Sequence, residues 1–463
     1  MSRTVPEGHE IPGLPLLEAP VVTETTPEVD PGSDYAGPLL DARRNTAAAT
    51  WALFLGIGLL MLGNGLQATL IGVRTQVEGF SQLSTGLVMA AYFAGFLFGT
   101  RAVQVLLNAV GHIRVFAALA SLSSVVVLVY SLTTLPATWV FMRFMTGFAM
   151  SGLFVVAESW INDLATNKTR ARLLAVYMVV TMAAMSGGQF LLNAADPEGF
   201  RLFIMASILV SMSLVPITLS ATSAPPASAP TPMAITELVQ IVPTGLLMSF
   251  LIGLSTGALM GMGAVYATSV GLTTAQVTLF VSAPLIGGML FQLPIGWLAD
   301  HVPRRGVILA LAVIGVIASL GLYLAAPGSL ASYGLLVVIG GMNFPLYSLA
   351  IAYTNDWLRP DQILGASAAL VGTNGLGAIA GPLITAGVFL VAGVDQYFGL
   401  QAVTFGLLAV FVAYRILTRD GLPVDAQDPY VPFPARASAV AANLILRRRA
   451  RTSRTGRPRT GAH

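Results

Sequence analysis

Residues 296–326 read GWLADHVPRRGVILALAVIGVIASLGLYLAA. After the adjacent arginines at 304 and 305, the remaining 21 residues carry no charge and are mostly aliphatic. A helix needs about 20 mainly apolar residues to cross the hydrocarbon core of a bilayer. The stretch therefore predicts a transmembrane helix that begins just after a basic pair at the membrane surface.

Eleven further apolar runs of similar length fill the chain between residues 46 and 419. The runs, including the one above, lie approximately at 48–73, 83–107, 113–133, 137–161, 171–194, 200–220, 241–268, 273–299, 305–326, 330–357, 362–392 and 396–417. Backbone polar groups inside lipid must bond within their own segment, which favours helices over isolated strands. We predict an all-α membrane protein with twelve transmembrane helices.

The overall composition supports a membrane protein and excludes several kinds of site. Hydrophobic residues make up 55% of the 463 residues and charged residues 10%, against roughly 25% charged residues in soluble domains. The chain has no cysteine, which excludes disulfides and thiolate ligands. Its four histidines lie outside the middle of the apolar runs. We therefore expect no cofactor, no metal and no enzymatic activity.

The charges between the runs predict the orientation. Seven basic residues lie in the loops on the side of the two tails and two lie on the other side. By the positive-inside rule both termini are expected in the cytoplasm, with the protein spanning the cell membrane many times. Residues 1–45 are acidic and proline-rich and residues 420–463 are basic, so both are expected to be disordered tails. No folded basic surface predicts nucleic-acid binding.

The runs divide into two sets of six. The proline-rich stretch 221–240 is predicted to be a cytoplasmic linker between bundles at 46–220 and 241–419. Each set has a tryptophan preceded by polar residues at the end of its fourth run, in Glu158-Ser159-Trp160 and Asn355-Asp356-Trp357. Such faint similarity is typical of transporters built from two repeats.

The Gly-x-Leu-Ala-Asp-x-x-x-Arg-Arg stretch at 296–305 resembles the cytoplasmic loop signature of the major facilitator superfamily. Arg143-x-x-x-Gly147 in the fourth run resembles a second motif of that family, and the stretches 111–114 and 158–160 are similar to its bacterial YcaD-like subfamily. The resemblance implies a secondary active transporter built of two six-helix pseudo-repeats. The first half departs from the loop signature, because no acid follows Gly99.

Polar residues within the runs are candidates for contact with a solute. The resemblance implies that the first, fourth, seventh and tenth helices line the path. The substrate-binding candidates are Asn64, Gln67, Arg143, Gln189, Asn343 and Asn374. For the amides, hydrogen bonds between helices are an equally good explanation. For Arg143 the alternative is a guanidinium that snorkels to the outer interface.

Charged residues near the cytoplasmic ends form a second set. Glu158, with Arg101 or Arg114 as its partner, is predicted either to latch the inner end shut or to carry a proton, and its position close to the headgroups favours the latch. The cytoplasmic gate candidates are Arg101, Arg114, Asp300, Arg304, Arg305 and Asp356. The alternative for these pairs is a static surface salt bridge, which contributes ~0–1 kcal/mol.

Secondary active transport by a monomer is the function that these features favour. The expected partners are a small polar or weakly anionic solute, a proton or another coupling ion, and the lipid bilayer. A drug or amphiphile exporter of the same fold is the alternative within transport. A membrane-embedded enzyme or a receptor is the alternative from another class, and the direction of transport stays open.

Overall fold

The computed structural model describes residues 36–164, 169–219, 235–359 and 362–419, together with 421–424, 427 and 430. The compact unit of the chain begins at Thr46. Of the separate unit before it, the described residues 36–45 form the start of the first helix.

The described residues form α-helices joined by short turns, and they contain no β-strand. The helices are α1 (Ala36–Val77), α2 (Gln82–Val110), α3 (His112–Val129), α4 (Pro136–Leu164), α5 (Arg170–Phe190), α6 (Arg201–Met212), α7 (Leu214–Leu219), α8 (Ile235–Ile241), α9 (Pro243–Ser269), α10 (Thr274–His301), α11 (Arg304–Leu324), α12 (Leu330–Asn355), α13 (Ile363–Ala392) and α14 (Tyr397–Thr418). Within this part of the chain, twelve helical segments are long and apolar enough to cross a membrane. The protein is a multi-pass membrane protein, as the sequence predicts.

Two predicted boundaries are wrong in detail. The first helix begins at Ala36, inside the region predicted to be a disordered tail, because Pro38 lies in a first turn, where proline is tolerated, and helix-forming residues follow it. The sixth run is two helices, α6 and α7, and α6 ends four residues before Pro216. The proline ring clashes with the carbonyl group four residues earlier, which accounts for the break at Met212.

The predicted linker at 221–240 lies largely outside the described residues. Its last residues, from Ile235 onward, belong to the short helix α8. We call α1–α7 the first half of the protein and α8–α14 the second half.

The two halves repeat one packing pattern. Helix α2 packs on α4 as α10 packs on α12, and α3 packs on α4 and α6 as α11 packs on α12 and α14. Glycines allow the closest approaches: a Cβ atom on Gly147 would lie 1.9 Å from the carbonyl oxygen of Tyr92, and one on Gly340 would lie 1.9 Å from that of Pro284. Close backbone contact through small residues is the usual way in which membrane helices associate.

The contacts between the halves follow the same duplication. Helix α2 packs against α13, and its counterpart α10 packs against α5, which is the counterpart of α13. The symmetry that relates the two halves therefore also relates the α2–α13 interface to the α10–α5 interface. The fold is an all-α bundle of twelve membrane helices arranged as two pseudo-repeats, in agreement with the sequence prediction.

For this description, the outer end of the bundle is the end with the α1–α2, α9–α10 and α11–α12 turns, which the sequence predicts to be extracellular. The inner end carries the α2–α3 and α10–α11 turns. Residues 421–424, 427 and 430 follow α14 and pack beneath the inner end of the second half. The prediction that the whole of 420–463 is a disordered tail does not hold for Tyr430, because its hydroxyl and backbone nitrogen have polar partners on α10.

Candidate substrate cavity and gates

A cavity of about 50 Å³ lies between the halves. The first half contributes residues of α2, and the second half contributes residues of α9, α12 and α13. The lining residues are Tyr92, Phe93, Phe96, Leu97, Thr100, Thr256, Tyr347, Val371, Asn374, Gly375 and Ala378. The cavity thus lies where α2 meets the second half.

The two walls of this cavity differ in chemistry. The α2 wall is rich in aromatic side chains, with Tyr92, Phe93 and Phe96 within five residues. The opposite wall presents hydrogen-bonding groups from Thr256 and Asn374. A solute with an apolar ring or chain on one side and a polar group on the other would match both walls.

Arg143 lies next to the cavity-lining residue Tyr92 and is not itself among the lining residues. Its side chain is buried, and its guanidinium carbon is 4.8 Å from the centre of the Tyr92 ring. A cation over an aromatic face is stabilised by the ring quadrupole, more strongly when water is excluded. Gly147, one turn along α4, permits the α2–α4 contact that brings these two groups together. The guanidinium is buried and does not snorkel to the outer surface, and Arg143 contacts Tyr92, which lines the cavity, without lining it itself.

Asn64 and Gln67 lie in the first half and do not line the cavity. The Gln67 amide donates to the Thr146 hydroxyl at 3.4 Å, and Thr146 lies one turn from Arg143. Asn64 is buried, and neither its amide nitrogen nor its amide oxygen has a hydrogen-bond partner within the described residues. Buried amides without partners are uncommon in folded proteins, so this position is a polar site within the first half.

The second-half candidates connect helices around the cavity. The Asn343 amide donates to the Thr256 hydroxyl at 2.7 Å, joining α12 to α9. Asn374, a lining residue, donates to the backbone oxygen of Ser249 at 3.0 Å. Both amides therefore make hydrogen bonds between helices, and Asn374 also faces the solute space.

Gln189 lies in a contact that joins the halves near the outer end. The Ser282 hydroxyl donates to the Gln189 side-chain oxygen at 2.8 Å, and the Asn193 amide donates to the Thr278 hydroxyl at 3.1 Å. A third bond runs from the Ser269 hydroxyl to the side-chain oxygen of Gln76 at 3.0 Å. We call these three pairs the outer seal. Gln189 is thus a sealing residue in this conformation and does not line the cavity.

The inner end of the second half carries a buried charge network. Arg304, with a side chain 1% exposed, donates to the carboxylate of Asp356, which is 2% exposed. Asp300 lies farther away, 3.8 Å from the Arg304 Nη2 atom, and is 34% exposed. Arg305 stacks near the rings of Tyr353 and Trp357, and its Nη1 atom donates to the Arg419 oxygen at 2.7 Å. Four of the predicted gate residues therefore meet at one place.

The inner end of the first half is organised differently. Glu158 is fully buried and accepts a hydrogen bond from the Tyr177 hydroxyl at 3.4 Å. The predicted partners Arg101 and Arg114 are exposed and belong to none of the ion pairs found among the described residues. The predicted pairing is wrong, because both arginine side chains turn away from the bundle toward the surface.

In the first half, the hydrogen-bonded pair of His112 and Ser159 occupies the position that the ion pair of Arg304 and Asp356 has in the second half. His112 is the first residue of α3 as Arg304 is of α11, and Ser159 precedes Trp160 as Asp356 precedes Trp357. The His112 Nε2 atom lies 3.0 Å from the Ser159 hydroxyl. The two halves thus hold corresponding helices together with different chemistry.

Some of these features could not be found from polar residues alone. The aromatic wall on α2 consists of residue types that ordinarily fill a core, so nothing in the sequence distinguishes it. Thr256 and Tyr430 lack a local motif as well. The one available signal is that Phe96 follows Phe93 by three residues and Tyr92 by four, which places it near each of them on a helix surface.

A comparison with known families bears directly on this architecture. A sequence profile described as the Major Facilitator Superfamily matches residues 53–241 and 245–453. The chain belongs to the major facilitator superfamily. It is therefore a membrane transporter and not an enzyme, with a small-molecule substrate and the lipid bilayer as partners.

Similar sequences also support the resemblance to the YcaD-like subfamily. The YcaD protein of Escherichia fergusonii, an MFS-type transporter, is 25% identical over 339 residues, which cover 72% of this chain and 87% of YcaD. The chain is YcaD-like.

Solved transporters share its fold at low sequence identity. The nucleoside transporter NupG is 14% identical with a TM-score of 0.66, covering 80% of this chain and 100% of NupG. A bacterial homologue of the human lysosomal transporter Spinster, in an inward-facing and occupied conformation, is 14% identical with a TM-score of 0.66, covering 83% of this chain and 98% of that protein.

Proposed function

We propose that the protein is a secondary active transporter that moves a small solute by alternating access. The observation that supports this most directly is the cavity between the halves, beside an interface whose hydrogen bonds lie at the outer end. A seal at one end and a cavity below it are what a rocking mechanism needs in one of its states. We propose that breaking the outer seal and joining the inner ends gives the other state.

The lining favours an amphipathic solute. Aromatic rings on α2 would pack against its apolar part, and Thr256 and Asn374 would bind its polar group. Arg143, 4.8 Å from the ring of the lining residue Tyr92, would favour a solute with negative charge. The same aromatic wall also supports export of a drug-like amphiphile, which is the second candidate function.

Binding is the first test of this proposal. Purified protein is screened against amphipathic acids, each paired with its neutral amide, for an increase in thermal stability. The variants Phe96→Leu and Asn374→Ala should each weaken the response, whereas the conservative change Tyr414→Phe on the exposed face of α14 should leave it unchanged. Equal responses in all three variants would rule out this cavity as the binding site.

Flux is the second test. Proteoliposomes containing the protein should exchange a solute found by the binding screen, and a pH gradient should drive its accumulation if protons are coupled. The direction of the gradient that accelerates flux distinguishes uptake from export. A solute that binds and exchanges without any ion gradient effect would contradict secondary active transport.

We propose Glu158 as the residue that couples transport to protons, with a structural latch as the alternative. It is a buried carboxylate at the inner end and its partner is the Tyr177 hydroxyl. In the Glu158→Gln variant, a proton carrier loses gradient-driven accumulation but keeps solute exchange. A latch instead changes the exchange rate and keeps the response to the gradient.

We also propose that both termini lie in the cytoplasm and that the transporter spans the cell membrane as a monomer. The bodies that move would be residues 46–220 and 241–419, joined by the linker at 221–240. The natural absence of cysteine makes the orientation testable, because a cysteine introduced at residue 196 or at residue 237 is the sole thiol. An impermeant maleimide should label only the first from outside intact cells.

A further inference from the structure

The described residues that follow α14 lie against the inner end of the second half. We call the described residues 421–424, 427 and 430 the strap. Its first contact comes from Arg305, which donates to the oxygen of Arg419 just before it at 2.7 Å. Within the strap, Gln427 donates from its backbone to Val424 and from its side chain to Leu422, at 3.0 and 3.1 Å. These bonds join residues 422, 424 and 427 of the strap to one another.

Tyr430 anchors the far end of the strap on α10. Its hydroxyl accepts a hydrogen bond from Gln292 at 2.9 Å, and its backbone nitrogen donates to the Asp300 Oδ1 atom at 2.6 Å. Its ring covers Gly296, where an added Cβ would lie 2.4 Å from a ring carbon. The same Asp300 oxygen lies 3.8 Å from Arg304, so the strap is linked to the predicted gate through this carboxylate.

The Tyr430 ring lies against Gly296 of α10, and Gln292, which binds its hydroxyl, also donates to Ser348 of α12 at 2.9 Å; helical spacing relates this part of α10 to the first half. At the outer end, Ser282 contacts Gln189 of α5, and Leu285 packs with Met185 of α5. Residue 292 follows 285 by seven positions and residue 296 follows 292 by four, which keeps all three on the same face of α10. Tyr430 therefore occupies the continuation of the α5–α10 interface.

The register of the α5–α10 interface shows which residues of α5 would lie opposite the part of α10 near the strap. Helices α5 and α10 are antiparallel, with Asn193 opposite Thr278 and Gln189 opposite Ser282. Continuing this register toward the inner end places Met178 opposite Leu293 and residues 174–175 opposite 296. In the structure Leu293 is 72% exposed, so α5 does not cover α10 there.

We propose that the strap is an autoinhibitory wedge that holds the inner ends of α5 and α10 apart. This inference rests on the proposed alternating-access function, in which the inner end must close once in each cycle. Closure along the observed register requires the strip of α10 that Tyr430 covers. The strap must therefore leave α10 before the inner end can close, and its docking favours the conformation seen here.

Cross-linking tests the wedge without any solute. Cysteines replace Met178 and Leu293 in the otherwise cysteine-free chain, and the rate of their oxidative cross-linking reports closure of the inner end. Tyr430→Ala, which loses the hydroxyl that Gln292 binds and the ring on Gly296, and truncation after residue 420, which also loses the backbone bond to Asp300, should raise this rate roughly tenfold. Tyr430→Phe, which keeps the ring and loses the hydroxyl, should give an intermediate rate.

The control is Tyr414→Ala, which removes a tyrosine that is 58% exposed on α14 and should leave the rate unchanged. Equal rates in the parent, the Tyr430→Phe variant and the truncated chain would overturn the wedge. If Tyr430→Ala does not fold, Tyr430→Phe still decides, because the loss of one hydroxyl preserves the packing. Faster cross-linking without any solute flux would contradict the proposed function alone, and normal flux with unchanged cross-linking would contradict the strap alone.

Discussion

Removing the charge of Asp356 tests whether the inner end of the second half depends on its buried ion pair. Arg304 and Asp356 are 1% and 2% exposed, so neither charge is solvated by bulk water. Removing one partner of such a pair leaves the other buried without full compensation, which costs about 3–5 kcal/mol. Asp356→Asn keeps the shape of the side chain, so packing contributes little to the change.

The remaining contacts of Arg304 place the expected loss toward the lower end of that range. Its Nη1 atom stays 3.4 Å from the Ala352 oxygen, and Asp300 stays 3.8 Å from its Nη2 atom. We therefore expect Asp356→Asn to reduce the free energy of unfolding by about 3 kcal/mol. Asp300→Asn should cost ~0–1 kcal/mol, because that carboxylate is 34% exposed and at the distance limit of an ion pair.

The midpoint of thermal unfolding in detergent, followed by tryptophan fluorescence, is measured for these two variants and for a control. Asp196→Asn is the matched control, since Asp196 is exposed at the outer end and belongs to none of the ion pairs among the described residues. A midpoint for Asp356→Asn equal to that of Asp196→Asn would refute the reasoning. The double variant Arg304→Leu/Asp356→Leu should recover much of the loss, because no charge is then left buried.

Three further predictions concern other parts of the molecule. Gly147→Ala should lower thermal stability by about 1–3 kcal/mol, since its Cβ would lie 1.9 Å from the Tyr92 oxygen, whereas Gly387→Ala, with open space around it, should not. Gln189→Ala removes the bond to Ser282 and should speed maleimide labelling of a cysteine at 260 from the outer side by roughly fivefold; unchanged labelling would contradict the seal. Burial and the nearby Asp300 raise the pKa of the Tyr430 phenol and Arg304 opposes them, so strap docking should be constant up to about pH 10 and weaken above it. The difference in tyrosinate absorbance between the chain and Tyr430→Phe measures this, and a signal from Tyr430 below pH 10 would contradict it.

The architecture could be predicted because it depends on features that are local in sequence. A run of about 20 apolar residues predicts each membrane helix, and the two tryptophan motifs mark equivalent helix ends. The break in the sixth run follows from Pro216, which the sequence contains but which a count of apolar residues overlooks. The start of α1 at Ala36 was missed for a similar reason, because acidic composition hides a short helix-forming stretch.

The site could be predicted only in part, because polar residues on a membrane helix can bind either a solute or a neighbouring helix. Gln189 and Asn374 are similar amides in apolar runs, yet one joins the halves and the other lines the cavity. The difference lies in which helix faces them, and this depends on packing between residues far apart in sequence. Glu158 shows the same limit, since its hydroxyl partner Tyr177 carries no charge that would mark it.

The inner ends of the two halves are held by different interactions, and this difference affects which half can move more easily. The second half is held by Arg304 and Asp356, a buried ion pair that also ties to Asp300 and through it to Tyr430. The corresponding first-half pair, His112 and Ser159, is a single hydrogen bond. Rearranging a buried ion pair costs more than exchanging one neutral hydrogen bond. We therefore expect the second half to keep its inner end rigid while the first half adjusts, which is the arrangement in which a wedge on α10 controls closure most effectively.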